Sequence, residues 1–167
     1  MAALLLAMPA AAAEPDIDVD PVGEIGLLDW GTYTGRDVGA VSAENTVEGM
    51  THRLSDVKLV QRGTEICAGQ DTMFGIRYRL TDKAREDHWA LVVETRHPML
   101  HAPNGRSGDR GSYVTGVSHE SDGYTGWTVR YPYEFVPGDY SFALLHDGVV
   151  KLRKTFHVAF DCVPLVS

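Results

Sequence analysis

The stretch Gly138-Asp139-Tyr140-Ser141-Phe142-Ala143-Leu144-Leu145-His146-Asp147-Gly148-Val149-Val150-Lys151-Leu152-Arg153-Lys154-Thr155-Phe156-His157-Val158-Ala159-Phe160 decides the fold. Tyr140, Phe142 and Leu144 recur at every second position, the period that puts side chains on one face of a strand. Asp147-Gly148 supplies the positive-φ pair that a two-residue hairpin turn requires. Val150, Leu152, Phe156, Val158 and Phe160 then resume the alternation, with Lys151, Arg153, Thr155 and His157 between them. A C-terminal β-hairpin follows. Lys154 interrupts the apolar series and predicts a bulge or a rim position.

The same period runs outward from this hairpin. Phe74-Gly75-Ile76-Arg77-Tyr78-Arg79-Leu80 reads as a half-buried strand, and His88-Trp89-Ala90-Leu91-Val92-Val93 as a central one. Further strands are expected at 24–33, 56–61, 88–95, 113–119 and 126–135, and a turn at 82–87. Residues 47–54 form the best short helix candidate. Seven to eight strands punctuated by Gly, Asp and Pro predict an all-β, immunoglobulin-like antiparallel β-sandwich occupying residues 24–163 as one domain.

The chain has 167 residues and a formal net charge of −8. Its pI of about 5.2 argues against a nucleic-acid binder, whose affinity comes from neutralising phosphates. It also has no run of eighteen apolar residues, so no membrane span is expected. Residues 1–13, MAALLLAMPAAAA, end in the small-residue pattern of a secretory signal peptide, and the absence of a positive start predicts a truncated one. Nine acids and one base, Arg36, fall within 14–50, leaving fourteen of each sign downstream. An acidic leader is therefore expected at 14–23. Its Asp16, Asp18 and Asp20 open like a calcium loop, but Pro21 and Leu27 stand where Gly and a bidentate Glu are needed. Export, to the periplasm or beyond, makes a Cys67–Cys162 disulfide the expected state, with two buried thiols as the alternative.

The residues also resemble a bacterial family, domain of unknown function 3859. Asp29-Trp30-Gly31-Thr32-Tyr33 is similar to the family's D-[YFW]-G-x-Y opening, and the likeness continues through Ile66-Cys67-Ala68, Phe74-Gly75-Ile76-Arg77-Tyr78 and His97-Pro98. It closes with Gly138-Asp139-Tyr140-Ser141-Phe142 and Lys154-Thr155-Phe156-His157-Val158. Cys67 departs from the pattern, replacing the Pro of I-P-A. The resemblance implies an exported or periplasmic β-sandwich and transfers no catalytic residue.

Candidate chemistry is sparse. Gly116-Val117-Ser118-His119-Glu120 approaches G-x-S-x-G, yet neighbouring residues on a strand point to opposite faces, so His119 cannot activate Ser118. His97 and His101 lie at i and i+4, and Met99 could add a soft ligand suited to copper, but no third ligand is fixed by spacing. Residues 103–116 read as a glycine-rich loop whose Arg106 and Arg110 could hold an anion. Trp127, Tyr131, Tyr133 and Phe135 share one parity and would form an aromatic face, either core or a sugar-stacking surface. No cofactor or metal site is assigned. The leading expectation is a non-enzymatic interaction module of the cell envelope. Its contact residues would be Asp29, Trp30, Tyr33, His97, His101, Arg106 and Arg110, and its partner an envelope protein or small ligand. Small-ligand or glycan binding is the alternative, and metal binding the second alternative.

Overall fold

A computed structural model describes residues 23–162. The signal peptide and almost all of the leader, together with residue 163, lie outside the described residues. Among the described residues nine strands form two sheets: β1 (Ile25–Ser42), β2 (Met50–Arg62), β3 (Glu65–Ala68), β4 (Met73–Leu80), β5 (His88–His101), β6 (Ser107–Ser118), β7 (Gly123–Thr128), β8 (Gly138–His146) and β9 (Val149–Phe160). One sheet is ordered β2-β1-β4-β7, the other β3-β9-β8-β5-β6. The strand count exceeds the expected seven to eight because of β3, four residues long and too short to show a period. Its pairing is parallel to β9, whereas every other ladder is antiparallel. Cys67 on β3 is bridged to Cys162, just beyond β9, with Cα atoms 5.8 Å apart.

The inward series build the core. Phe74, Phe142 and Phe156 are fully buried, with Phe74 5.6 Å from Phe156 and 6.1 Å from Phe142 between ring centroids. Each such ring withdraws enough apolar surface to contribute roughly 2–3 kcal/mol. Asp147 and Gly148 take φ of 49° and 75°, the geometry the hairpin requires. A bulge does accompany the hairpin, but at Lys151: Leu144 pairs with Leu152 and Leu145 with Val150. Lys154 keeps the inward parity instead. It is buried, and its ammonium stands 4.8 Å above the ring of Trp30, whose π-face tolerates the cation.

Four local expectations are corrected. Residues 47–54 are not helical: Val47 belongs to a turn and Met50 begins β2, whose pairing to the far half of β1 outweighs a weak local helical signal. Residues 103–116 are not one loop, since Ser107 already starts β6 against β5. β5 does not end near His97-Pro98; it runs to His101 across an irregularity between Arg96 and Leu100 that accommodates the missing proline N–H. The strand expected at 126–135 stops at Thr128. Pro132, locked near helical φ and lacking a donor, opens a 3₁₀ turn at Pro132–Glu134.

Outside the core, β1 and β2 run on together as a long arm, with Arg36 through Ser42 paired to Ser55 through Met50. Its tip returns to the other sheet. Asn45 O accepts a hydrogen bond from Ser112 N of β6 at 3.0 Å, and Val47 packs with Leu100 and Ala102 in a second small core.

Candidate functional site

The arm roofs a cleft. On one side of the sandwich the edge strands are β6 and β7, and they meet through Tyr113 Oη and Thr125 Oγ1, 2.6 Å apart. The arm spans this side, leaving a cleft of about 840 Å³ lined from β6 by Tyr113 and Thr115, from β7 by Thr125 and Trp127, and from β5 by His97. That volume lies within the range of roughly 300–1,000 Å³ usual for small-ligand sites.

Alternation explains which side chains face it. Tyr113 and Thr115 lie opposite the inward residues Val93 and Leu91 of β5, and Trp127 and Thr125 opposite the inward Phe74 and Ile76 of β4. Past the core edge, inward positions have no facing sheet and line the cleft. Trp127 belongs to both cores at once, packing against the main cluster and against that of Val47 and Leu100. His97 lies 5.0 Å from Trp127 between ring centroids, buried, and burial pushes its pKa below the usual imidazole value.

A polar network fastens the arm over one end. His52 Nδ1 lies 2.7 Å from Asp37 Oδ2 and its Nε2 lies 3.2 Å from Glu48 Oε1. From the segment after β7, Arg130 reaches Asp37 at 3.1 Å and the Tyr131 hydroxyl donates to Glu48 at 3.2 Å. Glu134, buried, accepts the backbone N–H groups of Arg130 at 2.6 Å and Tyr131 at 2.8 Å. Its pKa is raised because burial disfavours the charge more than these two donors favour it. Tyr133, stacked on Tyr131 with ring centroids 5.6 Å apart, has a hydroxyl pKa pushed up to about 12, chiefly by burial.

The residues singled out in the sequence do not converge on one surface. Asp29 and Tyr33 lie on the outer face of their sheet as an internal fastening. Arg77, the cross-strand neighbour, grips both carboxylate oxygens of Asp29, its Nε at 2.9 Å from Oδ1, and Tyr33 Oη donates to the same oxygen at 2.8 Å. The Arg77 guanidinium holds the Asp29 carboxyl below the usual carboxylate range, while burial and the neighbouring carboxylate push the Tyr33 hydroxyl up. Trp30 faces the interior between Arg62, 4.6 Å from its ring, and Lys154. His97 lines the cleft, whereas His101 is exposed at the end of β5. Arg106 donates to the Glu44 carbonyl of the arm, and Arg110 is exposed beside Asp109, so the two guanidiniums serve separate contacts. Ser118 Oγ pairs with Ser121 Oγ at 3.0 Å.

Of the aromatic series, Trp127 and Tyr133 line the cleft, Tyr131 stands at its fastened end, and Phe135 turns away to Phe160. Sequence reasoning missed Tyr113, Thr115 and the arm residues. For the arm the sequence carried no usable signal, since residues 34–42 are largely exposed and 47–54 read as a short helix.

The family described as domain of unknown function DUF3859 matches residues 23–158. The chain belongs to this family. Among solved structures, the DUF3859 domain is similar to an immunoglobulin-like protein from Pseudomonas aeruginosa, with a TM-score of 0.57 and 21% identity over 89% of this chain and 99% of that one. At that identity the likeness establishes the immunoglobulin-like fold of this DUF3859 member. No curated protein matches it.

Proposed function

We propose that this DUF3859 domain is an exported, non-enzymatic binding module of the cell envelope that takes a small ligand into the cleft beneath the β1–β2 arm. The observation that carries the reading is the cleft itself: about 840 Å³, with the aromatic residues Tyr113, Trp127 and Tyr133 in its lining beside polar and charged ones such as His97, Arg53 and Thr125. The Cys67–Cys162 bridge supports an oxidising compartment. Among the described residues no helix is long and apolar enough to cross a membrane. Against catalysis, Ser118 Oγ pairs with Ser121 Oγ rather than with an imidazole, and Arg77, Arg130 and His52 at the cleft are held by the carboxylates of Asp29 and Asp37.

The test is a thermal-shift screen of the mature protein against neutral sugars, organic and inorganic anions, copper and zinc. A ligand of the native state must raise the melting temperature saturably. A flat screen overturns the reading.

A second reading, recognition of an envelope protein, is favoured by one feature. Val114 on the edge strand β6 is 71% exposed and lies opposite Val92, 40% exposed, on the outer face of its sheet. A flat screen accompanied by a reproducible cross-link through Val114 would select it.

A further inference from the structure

Each sheet has two edge strands among the described residues: β2 and β7 bound one, β3 and β6 the other. An open edge is a row of unpaired backbone donors and acceptors, and proteins guard such edges with charge, bulges, proline or brevity. Two of the four are guarded in that way. β2 carries Arg53, Asp56, Lys58 and Arg62, and its ladder with β1 shifts register three times. β3 is four residues long and is pinned by the disulfide. The two edges that border the cleft are unguarded. β7, GYTGWT, and the stretch of β6 from Gly111 to Ser118, GSYVTGVS, hold neither charge nor proline. Along that stretch the register against β5 runs unbroken, from Gly111 beside Thr95 to Ser118 beside His88.

One bond fixes the direction of the β6 backbone. Ser112 N donates to Asn45 O of the arm at 3.0 Å, so this N–H points away from β5. Backbone groups of a strand alternate in direction, and those of Val114 and Gly116 therefore point the same way. Among the described residues their N–H and C=O groups meet no partner on that side. Val114 is 71% exposed and stands opposite Val92 on the outer face, while Thr115 lines the cleft together with the charged Arg53, Asp56 and Asp122. This open window offers backbone donors and acceptors with an apolar flank on one face and a polar one on the other. Its complement is an extended chain with alternating side chains. A second copy of this chain does not fit it. Antiparallel pairing of β6 with β6 about Thr115 would set Ser118 of one copy opposite Ser112 of the other, where Asn45 already sits. The net charge of −8 also opposes self-association.

Resting on the second reading, recognition of a protein through the face at Val114, we propose that the β6 edge at Val114 and Gly116 binds an extended segment of a partner polypeptide as a sixth strand of its sheet, with apolar side chains beside Val114 and polar ones turned into the cleft.

The experiment is amide hydrogen exchange of the mature protein, read residue by residue by nuclear magnetic resonance, with and without the end-capped peptides STVTVTS, SEVEVES and SKVKVKS. At least one is expected to slow exchange at Val114 and Gly116 saturably and about tenfold or more, while Thr115 and Val117, whose N–H groups point to β5, keep their rates. In that peptide, N-methylation of one alternate set of residues should abolish the effect and N-methylation of the other set should leave it. Gly116→Pro removes a donor from the open edge without touching the β5 ladder, and a Cβ there meets only Trp89 O, at 3.9 Å. It should weaken the peptide about tenfold, and Gly116→Ala should not. Unchanged exchange with all three peptides overturns strand addition. If Val114 nevertheless cross-links to an envelope protein, the second reading stands without it. Slow exchange at both amides before any peptide is added also overturns the proposal, dependence on protein concentration marking a second copy and independence marking the chain's own residues. The wild-type measurement decides this without any variant having to fold.

Discussion

Replacing Asp29 with Asn removes one charge from the fastening beneath the family's opening motif. In the folded chain the Asp29 side chain is 10% exposed and that of Arg77 28%. Oδ1 accepts from both Tyr33 Oη and Arg77 Nε, and Oδ2 accepts from Arg77 Nη2. In Asp29→Asn one of those oxygens becomes an NH₂ donor facing the guanidinium, and Arg77 keeps a partly buried charge with no anion. Breaking a fully buried pair costs about 3–5 kcal/mol, and the residual hydration of Arg77 brings the expected loss to about 2–3 kcal/mol. For a domain of this size that lowers the melting temperature by roughly 6–10 °C. Urea unfolding at neutral pH with the disulfide intact measures it, and the Asp29→Asn, Arg77→Gln cycle isolates the pair. The pH dependence adds a second check. Because the folded-state pKa of Asp29 is depressed, its contribution is present above the unfolded value of about 3.9 and disappears as pH falls through the lower folded value. The gap between wild type and Asp29→Asn should thus narrow below about pH 4. A neutral-pH difference under about 0.5 kcal/mol, or a gap that widens in acid, would refute the reasoning.

Gly31→Ala should be among the most damaging single-methyl additions, because φ is +144° there and the new Cβ would lie 1.9 Å from the backbone oxygen of Gln61. A loss of at least about 2–3 kcal/mol is expected by urea titration, and an unchanged midpoint would show that β1 and β2 part easily. Cys67→Ser with Cys162→Ser opens a closure of 95 residues and should lower stability by about 4–5 kcal/mol on the chain-entropy account. Non-reducing peptide mapping should find the two cysteines linked, and free thiols at both positions would contradict the bridge. Glu134 titrates above its ordinary value in the fold, so the stability gained from its protonated form is present at acid pH and lost as pH rises through the folded value. Glu134→Gln should flatten that limb of the stability–pH curve, and a curve identical to wild type would count against the burial argument.

How much of this was readable from residues alone depends on where each residue meets the core. Phe74 to Leu80 and Tyr140 to Phe160 alternate because one face is buried, and that alternation disclosed the hairpin, the sandwich and the inward rings. The arm was illegible for the converse reason. Thr34 to Ser42 leave the core and are largely exposed, so no apolar period marks them as strand. Trp127 and Tyr133 were visible as aromatics, but their parity suggested one continuous face, and only Pro132 breaking the strand separates them. Asp29 and Tyr33 looked like contact residues because polar groups at a motif invite that reading. Cross-strand Arg77, forty-eight positions away, is what makes them structural. His97 stood out beside His101 as a ligand pair, yet the long β5 separates a buried imidazole from an exposed one.

The account turns on whether the space under the arm is the working surface. Calorimetric titration of the strongest thermal-shift ligand into wild type and into Thr115→Trp tests this most directly, since Thr115 lines the cleft and a Trp there would fill it. The account predicts saturable binding to wild type and at least tenfold weaker binding to a folded Thr115→Trp chain. Equal affinity for the two would contradict it.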